Sequence, residues 1–138
     1  MLGIIVMGHG KFGSGISSTL RLIGGEQDAY AYLDFSEDKD MDMLLEELRE
    51  QAAGMTECER IAILCDLDGG TPFKTALLYS FEKEGIDVIS GISFPFLLEL
   101  SLSRGSTEDV DVLLEETLAR AREGMQRFDK GKLLEQLQ

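Results

Sequence analysis

The sequence predicts an α/β fold: a doubly wound, mostly parallel sheet in the flavodoxin-like strand order 2-1-3-4. Short apolar runs alternate along the chain with longer segments of helical periodicity. Apolar strands separated by helices are typical of a parallel sheet with helices on both faces. For a single domain of 138 residues, this order is the simplest arrangement, and it makes the first and third strands neighbours at the switch point.

The four predicted strands are short and apolar. The first is LGIIVM (Leu2–Met7), an unbroken apolar run, and the second is AYAYLDF (Ala29–Phe35). The third, Arg60–Cys65, contains the run IAILC, and the fourth is DVIS (Asp87–Ser90). Such continuous apolar strands are typical of a sheet that is buried on both faces.

The predicted helices lie between and after these strands. They are Ser14–Ile23, Asp40–Ala53, Pro72–Glu84, Phe96–Ser103 and Glu108–Phe128. Gly24 and Gly54 end the first two, with Gly54 as the expected C-terminal cap. Met41, Leu44, Leu45 and Leu48 form one stripe of the second helix, which predicts that this face packs on the core. We expect residues 1–128 to form one domain and residues 129–138 a polar tail.

The net charge limits the classes of partner. Lys and Arg number 13 against 26 Asp and Glu, which gives a net charge of −13. Such a surface repels phosphate backbones and anionic membranes, so we expect no nucleic-acid partner. No apolar run approaches the roughly 18 residues of a membrane span. Because MLGIIVMGHG lacks a basic leader, we expect no signal peptide and a cytoplasmic protein.

The cysteines predict neither a disulfide framework nor a metal site. The chain has two of them, Cys58 and Cys65. Cys65 ends the third strand, so we expect it to be a reduced thiol in the core. Together with His9, the only histidine, the cysteines show no metal-ligand spacing. We therefore expect no metal and no cofactor.

The loop after the first strand, GHGKFG, has two interpretations. Gly8, Gly10 and Gly13 spell G-x-G-x-x-G, and Asp34 follows about twenty residues later, as in a dinucleotide-binding loop. However, 138 residues do not hold two mononucleotide halves and a substrate domain. In the second interpretation, the loop presents the imidazole of His9 at the switch point.

The loop after the third strand, DLDGGTPF, has the pattern of an anion site. Thr71 fits the N-cap position of the following helix, and Pro72 fits its first turn. Gly69 and Gly70 allow a sharp turn and leave backbone N–H groups open. These amides, the Thr71 hydroxyl and the positive helix end can bind an anion without an arginine. A plain strand–turn–helix corner would need the same glycines.

The two loops together predict a phosphohistidine site. His9 and Asp66 end neighbouring strands, so the imidazole and the carboxylate should meet at one edge of the sheet. A carboxylate that accepts the N–H of one ring nitrogen fixes the tautomer and leaves the other nitrogen as a nucleophile. Gly69, Gly70 and Thr71 can then hold the phosphoryl oxygens. Lys11 and Lys74 are nearby cations suited to partner docking or solvation.

At these residues the sequence resembles the IIA component of the mannose-type sugar phosphotransferase system. GIIVMGHGKFGSG, CDLDGGTPF and VISGISFPFLLEL carry the resemblance over nearly the whole chain. It implies a phosphotransferase in which His9 accepts a phosphoryl group from phospho-HPr and passes it to a IIB component. IIB then phosphorylates a sugar that enters through the IIC and IID membrane subunits. The acid partner falls on Asp66 and the phosphate-contacting hydroxyl on Thr71.

The resemblance also implies a cytoplasmic homodimer in which a further edge strand is exchanged, with the segment 101–107 as its candidate. Many relatives have Asn where this chain has Lys74 and Ser93. A Lys or Arg at position 74, and DLDGGTPF generally, are more similar to the N-acetylgalactosamine branch. The acidic Asp68 within the loop is unusual for the family.

Three other functions remain open at this point. A regulatory or kinase-linked phosphocarrier shares the fold, but such relatives lack the G-G-[ST]-P-F run. An aspartate-phosphorylated receiver domain needs an acidic pair after its first strand, where this chain has Gly-His-Gly. A small dinucleotide-binding protein is the third, and it leaves the second loop unexplained.

Overall fold

The computed structural model describes residues 1–105 and 109–138, and the predicted four-stranded sheet is present in it. The strands are β1 (Gly3–His9), β2 (Tyr30–Phe35), β3 (Ile61–Cys65) and β4 (Ile86–Ile89). The helices are α1 (Phe12–Gly24), α2 (Met41–Gly54), α3 (Thr71–Glu82), α4 (Phe94–Ser103), α5 (Val110–Gly124) and α6 (Lys130–Leu137). Every predicted strand and helix therefore has a counterpart within a few residues.

The sheet order is β2-β1-β3-β4, and all three strand pairs are parallel. His9 is paired with Phe35 of β2, and Met7 is paired with Cys65 of β3. The carboxyl ends of the three strands therefore meet at one edge. This confirms the predicted fold class and the neighbouring positions of the first and third strands.

The core has two layers, one on each face of the sheet. Successive residues of β1 point to opposite faces. Ile4 and Val6 pack with residues of α1, α4 and α5, whereas Ile5 and Met7 pack with residues of α2 and α3. The predicted core stripe of α2 is confirmed at Leu44 and Leu48, which are fully buried; Met41 is partly buried. Helices on both faces make the sheet doubly wound.

The apolar run FPFLLELSL packs mainly within its own chain. Phe96, Leu97 and Leu100 are buried against the sheet and α5, whereas Leu102 is 62% exposed. Cys65 is a free thiol and is fully buried, as expected. Burial raises its pKa to about 12, so this thiol stays protonated and unreactive at neutral pH.

Several predicted boundaries were wrong. Gly70, not Thr71, is the N-cap of α3, because it holds the extended backbone and Thr71 already has the helical one. Gly54 is the last residue of α2, and Met55 is its C-cap. The helix predicted to reach Phe128 ends at Gly124. The tail forms α6, whose residues are all exposed, and the division at residue 128 stays a prediction.

The segment proposed for strand exchange has a different local structure where it is described. Ser101–Ser103 forms the last turn of α4. Ser101 and the preceding Leu100 are buried against the core. Residues 106 and 107 of that prediction lie outside the described residues. Two residues before them, Arg104 is 5% exposed, and its Nη1 donates hydrogen bonds to the carbonyls of Leu2 and Ala29. Arg104 thus ties α4 to the amino edge of the sheet.

Candidate functional site

A hydrogen bond joins His9 and Asp66 at the carboxyl edge of the sheet. His9 is the last residue of β1, and Asp66 directly follows β3. The Nδ1 atom of His9 lies 2.8 Å from Oδ2 of Asp66. An ionised carboxylate only accepts hydrogen bonds, so Nδ1 carries the ring proton and donates the hydrogen bond to Asp66. The other ring nitrogen, Nε2, then has a free lone pair.

Asp66 is held in place by two backbone N–H groups. The amide of His9 donates to the same Oδ2 at 2.9 Å, and the amide of Leu67 donates to Oδ1 at 2.9 Å. The Asp66 side chain is 11% exposed, whereas that of His9 is 44% exposed. The carboxylate is therefore a fixed support, and the imidazole above it is open to a macromolecular partner.

Gly70 brings the start of α3 against the imidazole. A methyl group built on its Cα would lie 2.5 Å from Cε1 of His9 and 3.0 Å from Nε2. The nucleophilic nitrogen thus lies beside the N-terminal turn of α3. Gly69, which precedes it, has a φ of 82°, in the left-handed region that glycine adopts easily. Thr71 is the first helical residue and is half-buried.

The N-terminus of α3 carries no acceptor of its own. Four helices are capped by the side chain of their N-cap residue: α2 by Asp40, α4 by Ser93, α5 by Asp109 and α6 by Asp129. In the described ranges, no side chain accepts a hydrogen bond from the first turn of α3. Its open N–H groups and the positive helix end can therefore bind an anion beside Nε2 of His9.

The N-terminus of α1, in contrast, already holds an anion. Asp34 of β2 accepts from the Ser14 amide at 2.9 Å through Oδ1 and from the Ser14 hydroxyl at 2.6 Å through Oδ2. A methyl group on Gly13 would lie 2.9 Å from Oδ1 of this carboxylate. Asp34, which the dinucleotide interpretation assigned to a ribose, thus occupies the place where a pyrophosphate would bind. The glycine loop is closed by the protein itself.

The remaining predicted residues lie at the surface. Lys11, Lys74 and Asp68 are exposed, and none of the three enters an ion pair within residues 1–105 and 109–138. Residues 1–105 and 109–138 contain no group of three His, Cys, Asp or Glu side chains that could hold a metal ion. The site is thus built from one imidazole, one carboxylate and backbone amides.

Phe35 is a site residue that the sequence analysis did not identify. Its ring lies edge-to-face with the imidazole of His9, with centroids 6.1 Å apart and planes at 80°. In the sequence it was only the last residue of the second strand. The strand order offered a signal, because parallel pairing of strands 1 and 2 places their final residues side by side.

The chain matches a known protein family over most of its length. A family model described as the PTS system fructose IIA component, EIIA-man, matches residues 3–118. The chain belongs to this family. PTS denotes the sugar phosphotransferase system, so this protein is a IIA component of the mannose family.

Individual relatives agree with this assignment. The chain is 28% identical over 134 residues to the mannose-specific EIIAB component of Escherichia coli K12, covering 97% of this chain and 41% of that protein. It thus spans about two fifths of that relative's length. It is 27% identical over 100 residues to the fructose-specific EIIA component of Bacillus subtilis 168, which covers 72% of this chain and 68% of that protein.

Solved structures show the same fold. EIIA from Streptococcus agalactiae superposes with a TM-score of 0.85 at 33% identity, covering 93% of this chain and 98% of that chain. A PTS IIA protein associated with the fucose utilization operon of Streptococcus pneumoniae gives 0.82 at 26% identity, covering 96% of both chains. Within the described residues, no helix has the length and apolar character needed to cross a bilayer.

Proposed function

We propose that His9 carries a phosphoryl group, which it accepts from phospho-HPr and passes to a IIB component during sugar uptake. Membership of the mannose IIA family supports a phosphotransferase role in general. The observation that carries the specific proposal is the orientation of the imidazole. Nδ1 is held by Asp66 at 2.8 Å, so Nε2 is the acceptor atom and lies beside the uncapped start of α3.

The transfer is a displacement between two nitrogen atoms. The lone pair of Nε2 attacks the phosphorus of the donor's phosphohistidine, and the donor's P–N bond breaks with its electron pair returning to the donor nitrogen. The imidazole of His9 becomes cationic, because Nδ1 keeps its proton while Nε2 gains the phosphoryl group. The Asp66 carboxylate stabilises that cation. A nucleophile of IIB then attacks the phosphorus, and the P–N bond to His9 breaks with its electron pair returning to Nε2.

The phosphoryl oxygens are proposed to bind the N–H groups of Gly69, Gly70 and Thr71 and the hydroxyl of Thr71. The positive charge at this pocket comes from the helix dipole, since the cations Lys11 and Lys74 are exposed and unpaired among the described residues. An arginine cage would bind a dianion more tightly. A carrier has to release its phosphoryl group, so moderate binding suits this role.

The finer assignments follow from the resemblance at particular residues. We propose the N-acetylgalactosamine branch on the basis of Lys74 and the run DLDGGTPF. The names of the curated relatives include mannose, fructose and sorbose, so the family admits several sugars. We also propose a cytoplasmic homodimer, with an edge strand exchanged between its subunits, that reaches the IIC and IID subunits only through IIB.

Intact mass after incubation with phosphoenolpyruvate, enzyme I and HPr tests the proposal. We expect one added phosphoryl group that appears only when HPr is present. Peptide mapping at neutral or alkaline pH, where phosphohistidine survives, should place it on His9. His9→Gln is the matched control, because the ring lies at the surface and its loss should leave the fold intact.

Two results would contradict the proposal. One is a folded wild-type protein that gains no mass in the complete mixture. The other is a His9→Gln protein that is phosphorylated as fast as the wild type. In the first case, a cofactor screen by thermal shift with NAD and flavins would follow, as a direct test of the dinucleotide alternative.

A further inference from the structure

Phe35 is the one aromatic side chain of the described residues whose ring packs on the imidazole. It offers no charge or hydrogen bond to a phosphoryl group. The centroid distance of 6.1 Å and the interplanar angle of 80° fall in the edge-to-face range that aromatic pairs favour. We propose that Phe35 is a positioning residue that holds the imidazole of His9 with Nε2 facing α3. This inference rests on the phosphocarrier function proposed above.

The position of Phe35 is fixed by the fold. It is paired with His9 in the β1–β2 register, and its carbonyl accepts a hydrogen bond from the Gly10 amide at 2.9 Å. Its side chain is partly buried and packs on the core layer that includes Leu33 and Leu44. The ring of Phe35 is therefore packed in place beside His9.

The imidazole needs such a wall because one hydrogen bond does not fix a ring. The bond between Nδ1 and Asp66 selects the tautomer, but the ring can still swing about it. Gly70 approaches Cε1 from the β3 side of β1, and Phe35 approaches from the β2 side. Because β1 lies between β2 and β3, Phe35 and Gly70 limit the movement of the imidazole in both directions. A displacement of about 1 Å at a reacting atom can cost up to 100-fold in rate.

The first test uses the unphosphorylated protein. His9 is the only histidine, so ¹⁵N-labelled histidine gives a single set of imidazole signals. In the wild type, we expect the Nδ1–H tautomer and ring protons shifted by the nearby Phe35 ring. In Phe35→Leu, we expect that shift to disappear and ¹⁵N relaxation to show wider motion of the imidazole, because the bond to Asp66 alone leaves the ring free to swing. Phe35→Tyr keeps the aromatic ring and should restore both wild-type features.

The second test measures phosphoryl transfer from phospho-HPr over a range of concentrations. We expect Phe35→Leu to lower kcat about tenfold, the effect of one aromatic contact, with KM nearly unchanged. Phe35→Tyr should recover at least half of the wild-type kcat. Phe94→Leu is the control, because Phe94 is also half-buried but packs on the other core layer. It should keep the wild-type signals and rate.

The outcomes separate this inference from the phosphocarrier function. Wild-type signals and wild-type kcat in a folded Phe35→Leu protein would overturn the positioning role. Equal losses in Phe35→Leu and Phe94→Leu would also overturn it, because they would indicate a general loss of packing. If the wild type accepts no phosphoryl group at all, the function proposed above fails, and the imidazole signals still decide whether Phe35 orients the ring.

Discussion

The N-termini of α1 and α3 look alike in the sequence and have opposite roles in the structure. Each follows a glycine-containing loop at the carboxyl edge of the sheet. The first-turn N–H groups of each helix have no acceptor within the helix itself. At α1 the carboxylate of Asp34 fills this position through two hydrogen bonds to Ser14. At α3 no side chain of the described residues does so, and the imidazole of His9 lies there instead.

This comparison shows that a glycine loop before a helix does not by itself define an anion site. The outcome depends on whether a residue elsewhere in the chain supplies an internal anion. Asp34 is 20 residues from Ser14 and reaches it only because β2 lies beside β1. The α1 loop is therefore structural, and the α3 loop is free for a ligand.

The largest effect is expected from Gly70→Ala at the open N-terminus. The added methyl would lie 2.5 Å from Cε1 of His9, so the ring has to move away from α3. We expect phosphoryl transfer from phospho-HPr to fall about 100-fold. Gly70 has a φ of −81°, which alanine adopts without strain, so the protein should remain folded. Timed quenching and intact mass measure the rate.

Gly15→Ala is the matched control at the start of α1. Its added methyl meets nothing within 4 Å, and helical alanine is favoured over glycine by about 0.5–1 kcal/mol. We expect a wild-type transfer rate and slightly higher stability. Equal rates in the two alanine variants would show that the imidazole does not need the space that Gly70 leaves.

A smaller loss is expected from Asp66→Asn. The amide keeps a similar shape but loses the charge that stabilises the phosphorylated, cationic ring. The asparagine side chain also has an NH₂ group, which cannot accept a hydrogen bond from the Nδ1–H group of His9. We expect transfer to slow by about 10- to 100-fold, as when a group that orients a metal-bound histidine is lost. An unchanged rate in the folded variant would exclude Asp66 as the orienting group.

Asp34→Ala should affect stability instead of transfer. It removes the acceptor of both Ser14 hydrogen bonds and leaves the positive end of α1 without an anion. We expect the free energy of unfolding to fall by about 1–2 kcal/mol, the usual cost of losing a helix cap. Urea unfolding measures this loss, and the transfer rate should stay within twofold of the wild type. Lost transfer at unchanged stability would place Asp34 in the site instead.

The strand order and the main pair of the site were predictable from the sequence. Unbroken apolar runs separated by helices define a parallel sheet, and the order 2-1-3-4 brings the ends of strands 1 and 3 together. His9 and Asp66 therefore had to lie close, and the structure places Nδ1 and Oδ2 2.8 Å apart. The period of the apolar pattern and the connectivity are properties of the chain itself, which is why the predicted strand order was confirmed. The roles of His9 and Asp66 stay predictions.

Contacts set by side-chain packing across strands were not predictable. Asp34 fitted a ribose-binding acid by spacing alone, and only the coordinates show that its oxygens already bind Ser14. Gly70 was predicted to make a sharp turn and to bind phosphate, whereas its closeness to Cε1 of His9 depends on the direction of the imidazole. Phe35 was missed because strand pairing indicates that it lies beside His9 but does not show which way its ring points.

The smallest effect is expected from Asp68→Asn. This prediction contrasts Asp68 with Asp34, since both acids lie near helix N-termini. Asp34 is partly buried and holds α1 through hydrogen bonds, whereas Asp68 is exposed and makes no hydrogen bond within the described parts of the chain. Asp68 precedes the two glycines of the proposed phosphate site, so its charge should repel an incoming phosphoryl group. Removing it should therefore raise the transfer rate by about twofold at low salt, as for an exposed charge pair.

Salt separates this repulsion from a contact role. Exposed charges are screened over about 8 Å at physiological ionic strength and over about 3 Å at 1 M salt. The difference between Asp68→Asn and the wild type should therefore disappear at 1 M sodium chloride, while the loss in Asp66→Asn should persist because Asp66 is buried and bonded. A slower Asp68→Asn protein at every salt concentration would mean that Asp68 contacts the donor directly. The α3 loop would then bind its partner through a carboxylate as well as through amides.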